Sequence, residues 1–222
     1  MSLRLVLLGP PGAGKGTLAG ILEKELGLAH VSTGEIFRDE IRRKTSLGKT
    51  VNRFVTSGRL VPDELVVSVM AGQLARRRKG RGLALDGFPR TVGQAKGLEA
   101  FLSDRGLALD GAIYLDCPTP LLIARLSGRR VCSRCGSNYH IRTMRPRRSG
   151  VCDACGGTLI VRKDDQVNTI TKRLVIDRAQ ATPLLDFYRQ HHRLYRVSGS
   201  GGAVRVFQRV QRLMQQRGWL KK

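Results

Sequence analysis

A glycine-rich stretch near the start of the chain has the residue types that hold phosphate groups. Residues 9–17 read GPPGAGKGT, and they lie between an apolar run at 3–8 and a segment with helical apolar spacing. Glycines allow a tight turn that points backbone N–H groups inward, and the N-terminus of a helix adds further N–H groups. Lys15 supplies a point charge for the outer phosphates, and a hydroxyl follows at Thr17, after Gly16. The sequence therefore predicts a P-loop, the phosphate-binding connection between a strand and a helix.

Four of the five cysteines form a second pattern, which indicates metal binding. Two residues separate Cys132 from Cys135, two separate Cys152 from Cys155, and sixteen residues lie between the pairs. This spacing is typical of zinc sites in which four thiolates complete the tetrahedron and leave no position for a reacting water. We predict a structural zinc ion, with an iron centre or an empty, reduced site as alternatives. Cys117 stands alone in an apolar stretch, where we expect a buried side chain.

The charge balance is unusual, because 40 Lys+Arg against 17 Asp+Glu give a net charge of +23. Such a charge attracts nucleic acids, anionic membranes and nucleotides alike, so it does not select one partner. With 222 residues, 41% of them hydrophobic, the chain can form one ordinary domain with insertions or two small domains. No apolar run approaches the roughly 18 residues of a membrane span, and no room for a signal peptide precedes the first strand. We therefore expect a soluble, cytoplasmic protein.

Apolar strand-like runs alternate with helical segments along most of the chain. We predict five strands, at residues 3–8, 30–32, 83–85, 112–115 and 194–197. The alternation predicts a parallel sheet with helices on both faces. Ligands of such sheets bind beyond the carboxyl ends of the strands. The P-loop, Asp86 with Gly87, and the loop at 198–202 all fall at that edge.

Two stretches fit the strand–helix alternation poorly. Residues 34–61 are predicted to be helical in two pieces with a break around 46–48. Residues 128–165 contain the four paired cysteines and many basic residues with little helical periodicity, so we predict an inserted module there. In the helical region that follows, Thr182 and Pro183 predict a kink or a new helix start.

Five blocks of sequence together resemble the adenylate kinase family, in its bacterial long-lid form with a zinc-bearing lid. They are GPPGAGKGT at 9–17, STGE at 32–35, LDGFPRT at 85–91, GRR at 128–130 and RKDD at 162–165. The blocks follow the family's order, and the resemblance covers essentially the whole chain. It implies an α/β fold like that of P-loop nucleoside triphosphate hydrolases: a five-stranded parallel sheet with helices on both faces, a helical insertion that binds the nucleoside monophosphate, and a small zinc-ribbon lid. The implied division is one kinase unit over 1–222, with a core at 1–31, 62–127 and 166–222, the insertion at 32–61 and the lid at 128–165.

The resemblance implies a nucleoside monophosphate kinase that transfers a phosphoryl group reversibly from ATP to AMP, gives two ADP and balances the adenine nucleotides. Magnesium would accompany ATP, zinc would lie in the lid, and we expect a monomer with no membrane partner and only non-specific attraction to nucleic acid. One alternative is a related kinase with GTP as donor or UMP or CMP as acceptor. Another is a P-loop protein whose zinc ribbon binds nucleic acid, which would leave the block at 85–91 unexplained.

Roles of individual residues follow from the same resemblance. The implied catalytic residues are Lys15, Asp86, Arg90, Arg125, Arg129, Arg162 and Arg173. The implied ATP contacts are Gly12, Ala13, Gly14, Lys15, Gly16, Thr17, Arg125, Arg129, Asn138, Tyr139 and Gly201. The implied AMP contacts are Thr33, Arg38, Arg59, Leu60, Val61, Gly87, Phe88, Pro89, Arg90, Gln94, Arg162 and Arg173. Thr17 would lie near magnesium, and Asp86 would order the water molecules of that ion.

Overall fold

The computed structural model of the chain describes residues 3–56, 61–76 and 80–220. Within these residues the strands are β1 (Arg4–Leu8), β2 (Ala29–Ser32), β3 (Leu83–Asp86), β4 (Gly111–Asp116), β5 (Arg129–Cys132), β6 (Asn138–His140), β7 (Leu159–Ile160) and β8 (Leu194–Ser198). The helices are α1 (Lys15–Leu26), α2 (Thr33–Arg42), α3 (Ser46–Thr56), α4 (Asp63–Ala75), α5 (Val92–Ser103), α6 (Thr119–Ser127), α7 (Val167–Gln190) and α8 (Ala203–Gln216). A 3₁₀ turn at Lys163–Asp165 precedes α7.

The main sheet contains five parallel strands in the order β2-β3-β1-β4-β8. Strand β1 lies at its centre, and four of its five residues are buried. A strand buried on both faces has to be apolar throughout, which explains the continuous run of leucine and valine. The predicted five-stranded parallel sheet is confirmed.

Helices cover both faces of this sheet. Helices α1, α6 and α8 pack into one apolar cluster, and α4 and α5 pack into another. Helix α7 contributes Ile170 to the first cluster and Tyr188 to the second. Among the residues described, no helix combines the length and the apolarity that a membrane span requires.

A separate small sheet carries the paired cysteines. Its strands are antiparallel in the order β6-β5-β7, and its own core contains Cys132, Tyr139 and Cys152. A module of this size buries little apolar area, so a metal ion is a plausible source of its stability. The limits given above for core, insertion and lid stay predictions.

The break in the helical stretch after β2 lies earlier than the sequence predicts. Helix α2 ends at Arg42 and α3 begins at Ser46, so the predicted break around 46–48 is wrong. The Oγ1 atom of Thr45 accepts a hydrogen bond of 3.0 Å from the backbone N of Gly48. Because a threonine before the first turn satisfies a free N–H group of that turn, Thr45 starts the helix that Gly48 would otherwise weaken.

Helix α7 is continuous through Pro183, so the predicted new helix start is wrong. A proline inside a helix removes one backbone donor and costs about 3 kcal/mol. The residues just after it, Leu184, Leu185 and Tyr188, are buried in the core. Burial of each large apolar side chain contributes about 1.5–3 kcal/mol, so packing outweighs the proline.

Candidate active site

A cleft of about 1220 Å³ lies at the carboxyl edge of the main sheet. The P-loop, α2, the small sheet and α7 all contribute to its lining. The Nη1 atom of Arg42 on α2 donates a hydrogen bond of 2.6 Å to the carbonyl oxygen of Arg134 in the cysteine module, so two walls of the cleft touch. Pockets for one small ligand usually measure about 300–1000 Å³, and this cleft therefore has space for two.

Most of the predicted nucleotide contacts line this single cleft. They are Gly12, Ala13, Gly14, Lys15, Gly16, Thr17, Arg38, Asp86, Gly87, Pro89, Arg90, Arg125, Arg129, Asn138, Tyr139, Arg162, Arg173 and Gly201. They come from the P-loop, from loops after other strands, from α2, α6 and α7, and from the small sheet. The fold thus gathers residues that are widely separated along the chain.

The P-loop has the backbone geometry that phosphate binding requires. Gly9, Gly12 and Gly14 have φ angles of 136°, 85° and 98°, where a side chain would be strained. A Cβ atom at Gly9 would also lie 2.7 Å from the carbonyl oxygen of Leu115. Within the part of the chain that is described, no side-chain hydrogen bond caps the first turn of α1. The N–H groups of that turn are therefore available to an anion.

The Lys15 ammonium group lies folded back against the P-loop. Its Nζ atom donates hydrogen bonds to the carbonyl oxygens of Gly9 and Pro10, the latter at 3.1 Å. Burial lowers the pKa of Lys15, and the carboxylates of Asp86 and Asp177 oppose this shift. Phosphate oxygens entering the loop would give this partly buried cation partners that carry full charge.

Asp86 ends β3 and has a partner that sequence reasoning did not identify. The Nε2 atom of His30, on the neighbouring strand β2, lies 3.7 Å from the Oδ2 atom of Asp86. Burial alone would raise the pKa of Asp86, but the close contact with His30 and the charges of Lys15 and Arg90 together outweigh it and hold this pKa below its ordinary value. Burial alone would lower the pKa of His30, but the carboxylates of Asp86, Glu35 and Glu23 together outweigh it and hold this pKa above its ordinary value. Asp86 is therefore kept ionised beside the P-loop.

Arg125 on α6 joins the P-loop to the loop after β8. Its Nη2 atom donates to the carbonyl oxygens of Gly199 and Gly201, at 2.9 and 2.8 Å. Its Nη1 atom lies 3.4 and 3.3 Å from the carbonyl oxygens of Gly12 and Ala13. Since each of these acceptors is backbone, the contacts fix the guanidinium plane at the edge of the cleft.

Three of the predicted arginines share two aspartates where the cysteine module meets α7. The Nε and Nη2 atoms of Arg129 donate to the two carboxylate oxygens of Asp165 at 2.7 and 2.6 Å. Arg162 pairs in the same two-bonded way with Asp164, at 2.9 and 2.6 Å. The Nη1 atom of Arg173 lies 3.0 Å from Asp164 Oδ2 and 3.1 Å from Asp165 Oδ1. The aspartates thereby hold three guanidinium groups together against their mutual repulsion.

Replacing Asp165 with asparagine is expected to lower the free energy of unfolding by about 3 kcal/mol. The Asp165 side chain is 0% exposed, so its loss leaves Arg129 and Arg173 short of a buried counter-charge. Urea unfolding measures the change. The control is Asp186→Asn, whose exposed partner is Arg189, and it should change stability by less than about 0.5 kcal/mol. Equal stabilities for the two variants would contradict a structural role of the network.

Two further arginines line the cleft. Arg90 follows β3, and its Nε atom donates to the carbonyl oxygen of Gly87 at 3.0 Å. Arg38 comes from α2, where burial lowers its pKa and the nearby charges of Arg162 and Arg129 lower it further. An anion bound near Arg38 would offset its repulsion by those two arginines.

Several predicted AMP contacts do not line the cleft among the described residues. Thr33 donates from Oγ1 to the carbonyl oxygen of Gly87 at 2.7 Å. Gln94 is buried, accepts a bond of 2.8 Å from the backbone N of Arg90 and donates at 2.8 Å to Asp63. These contacts hold the loop that carries Arg90.

Two apolar members of the AMP set have core positions, because Phe88 is buried and Val61 packs beside the same apolar cluster. Arg59 and Leu60 lie outside the described residues.

Tyr139 faces the cleft but also belongs to the cysteine module. Its side chain is 9% exposed, and its hydroxyl lies 3.4 Å from the Sγ atom of Cys152 and accepts a bond of 2.8 Å from the backbone N of Asp153. The neighbouring Asn138 is exposed and lines the cleft. Cleft and metal module are therefore in direct contact.

The four paired cysteines are arranged as ligands of one metal ion. Their Sγ atoms all lie within 4.8 Å of one another, with 3.4 Å between Cys132 and Cys155 and 3.5 Å between Cys135 and Cys152. Bonds of about 2.3 Å from zinc place tetrahedral sulfurs about 3.8 Å apart, so the geometry fits. Cys117 lies elsewhere and is 7% exposed, as its apolar surroundings predict.

Sequence reasoning also missed Asp177, which lines the cleft from α7. Burial raises the pKa of this carboxyl group, although Lys15, Arg90 and Arg173 oppose the shift. The sequence does contain one signal for it: Asp177 follows Arg173 by four residues, and residues four apart lie on the same face of a helix.

The chain matches the family model described as Adenylate kinase over residues 7–193. The adenylate kinases of Clostridium tetani and Carboxydothermus hydrogenoformans are each 41% identical over 96% of this chain, covering 98% and 100% of those proteins. That of Moorella thermoacetica is 46% identical over 89% of this chain and 91% of its own length. The similarity thus extends far beyond the P-loop, through the cleft and the cysteine module. This chain belongs to the adenylate kinase family.

Proposed function

We propose that the chain catalyses reversible phosphoryl transfer from ATP to AMP, giving two ADP. One observation carries the proposal: the P-loop and six arginines from separate parts of the chain line one cleft with space for two ligands. They are Arg38, Arg90, Arg125, Arg129, Arg162 and Arg173.

On the donor side, the P-loop N–H groups and Lys15 bind the outer phosphates of ATP. Thr17 and the ionised Asp86 would hold the magnesium ion that accompanies ATP, and this ion would neutralise phosphate charge. Arg125, Asn138, Tyr139 and the backbone of Gly201 contact the adenosine part. The main support is the contact of Arg125 with both the P-loop and Gly201.

On the acceptor side, Arg38 and Arg90 bind the phosphate of AMP. The adenine meets the residues around Thr33 and Gln94, with backbone contacts from 59–61 and Gly87. The bonds of Thr33 and Gln94 to the Arg90 loop support this assignment, because they tie the base-binding region to the phosphate-binding arginine.

In the transfer step, an oxygen of the AMP phosphate bonds to the terminal phosphorus of ATP, and the bond from that phosphorus to its bridging oxygen breaks. The transition state spreads charge over three oxygens, so catalysis depends on positioning and positive charge. Arg90, Arg129, Arg162 and Arg173 supply that charge. Their planar groups can donate two parallel hydrogen bonds to a phosphate, whereas the ammonium group of lysine acts as a point charge.

The phosphoryl group must be shielded from water, since hydrolysis would otherwise compete with transfer. We assign this role to the lid at 128–165 and the insertion at 32–61, which close over a core at 1–31, 62–127 and 166–222. The bond between Arg42 and the Arg134 carbonyl supports it, because it joins these two parts across the cleft. Zinc held by the four cysteines stabilises the lid. A cytoplasmic location and a monomeric state stay predictions.

A coupled assay of ADP formation tests the proposed function. With magnesium, ATP and AMP, we expect rapid turnover, and GTP as donor or UMP or CMP as acceptor should be much slower. Preference for another nucleotide pair would change the substrate but keep the kinase. If no nucleotide pair gave turnover and the protein bound RNA in a salt-sensitive way, the nucleic-acid-binding alternative would replace the proposed kinase function.

A further inference from the structure

A carboxylate that the proposed mechanism does not use lies inside the cleft. Asp177 is on α7, one turn after Arg173, and lines the cleft with it. A cleft that binds the phosphates of ATP and AMP has no evident need for a further negative charge. Its presence therefore calls for a physical account.

The groups that act on Asp177 are the proposed phosphate ligands. Lys15 on α1, Arg90 in the loop after β3 and Arg173 on the same helix line the cleft together with Asp177, and their charges lower its pKa. Tyr114 on β4 lines the cleft as well, and its pKa is raised first by burial and also by the charges of Asp116 and Asp177. The cations whose charge acts on Asp177 are thus the ones that the phosphates would bind.

We propose that Asp177 takes up a proton when nucleotides fill the cleft, so that the substrates bind together with a proton. This inference rests on the proposed function. In the free protein the charges of Lys15, Arg90 and Arg173 favour the ionised form of this carboxyl group. Bound phosphates bring several negative charges to these cations, and a like charge nearby favours the neutral form of a carboxyl group.

The two carboxyl groups near Lys15 support different protonation states. Burial already raises the pKa of Asp177, and only the three cations oppose it. Asp86 has the opposite shift, because the close contact with His30 and the charges of Lys15 and Arg90 together outweigh its burial. When their surroundings shift the pKa values of two carboxyl groups in opposite directions, one group stays charged and the other can become neutral. Bound phosphates would neutralise the three cations, and the pKa of Asp177 would then rise further.

The direction of the pH dependence follows from linkage. Proton uptake on binding means that affinity increases as pH falls. Between the pKa of Asp177 in the free protein and its higher pKa in the complex, the dissociation constant should rise by about tenfold per pH unit. Asparagine at this position cannot take up the proton. The dissociation constant of Asp177→Asn should therefore not change with pH in this range. At the alkaline end of the range, this variant should bind nucleotides at least about tenfold more tightly than the unchanged protein.

Titration calorimetry with a dinucleoside pentaphosphate of two adenosines tests the inference. This probe spans both sites, and its phosphates are all internal, so none titrates near neutral pH. Binding heats in buffers of different ionisation enthalpy give the number of protons taken up. We expect close to one for the unchanged protein within the titration window. The control Asp186→Asn, on the same helix but outside the cleft lining, should behave like the unchanged protein.

Proton uptake by Asp177→Asn equal to that of the unchanged protein would overturn the inference. If this variant does not fold, Asp177→Glu gives a second test, because a glutamate pKa differs from that of aspartate and should shift the pH window of uptake. An unmoved window would again overturn the inference. If the unchanged protein does not bind the probe, the proposed function fails as well; tight binding without Asp177-dependent uptake removes this inference alone.

Discussion

Replacing Arg90 with alanine is expected to lower the turnover number by about 10³-fold. Arg90 is exposed to the cleft, and its side chain donates a hydrogen bond to the carbonyl oxygen of Gly87. Its removal therefore costs little folding free energy, whereas the transferring group loses a planar, two-bonded cation in the transition state. Steady-state assays of ADP formation measure the loss, and thermal unfolding measures the stability.

Arg105→Ala is the matched control for this prediction. Arg105 is also exposed, donates to the carbonyl oxygen of Phe101 at 3.1 Å and stacks on the Phe101 ring, away from the cleft lining. We expect its turnover to stay within about twofold of the unchanged protein, as for surface substitutions in general. An Arg90→Ala protein with the turnover of this control would remove Arg90 from the catalytic group.

Replacing Cys132 with serine is expected to lower the free energy of unfolding by about 4 kcal/mol. For a chain of this size, the loss corresponds to a melting midpoint lower by about 10 °C. The small sheet has a core of three buried residues in the described structure, so a metal ion held by the cysteines would be its main source of order. The turnover number at low temperature should change less, because none of the four cysteines lines the cleft in the described structure.

Metal analysis and thermal unfolding check this prediction together. The control Cys117→Ser changes a buried cysteine outside the cluster and should retain one zinc ion per chain. A chelated protein that kept both its melting midpoint and one bound zinc ion would show that other residues bind the metal.

Local chemistry determined the parts of the site that lie close together in the chain. The glycines, Lys15 and Thr17 predict a P-loop because a phosphate cradle needs a flexible backbone, a cation and a helix start within a few residues. The pairs Cys132–Cys135 and Cys152–Cys155 predict a metal site for the same reason, since each pair forms one turn. Continuous apolar runs predict the buried parallel strands, because both faces of such a strand must be apolar.

Local reasoning from the sequence fails where core packing or a side-chain hydrogen bond to the backbone decides the structure. Pro183 ends a helix in a peptide but not in α7, because Leu184, Leu185 and Tyr188 are buried just after it. Gly48 indicates a break, yet the hydroxyl of Thr45 starts α3 in front of it. Both outcomes depend on contacts that the spacing of apolar residues along the sequence does not reveal.

By itself, the sequence predicted the P-loop, four cysteines as metal ligands and the parallel sheet, and its resemblance to a known family implied the set of arginines. Only the tertiary structure decided which charges meet: His30 with Asp86 through the pairing of β2 with β3, and Arg129 with Asp165 between module and helix. It also brought Asp177 and Lys15 into the lining of one cleft. The physical reason is that electrostatic interactions depend on distance in space and on burial. Residues that are tens of positions apart in the sequence come close together and become buried only when the sheet brings the ends of its strands to one edge.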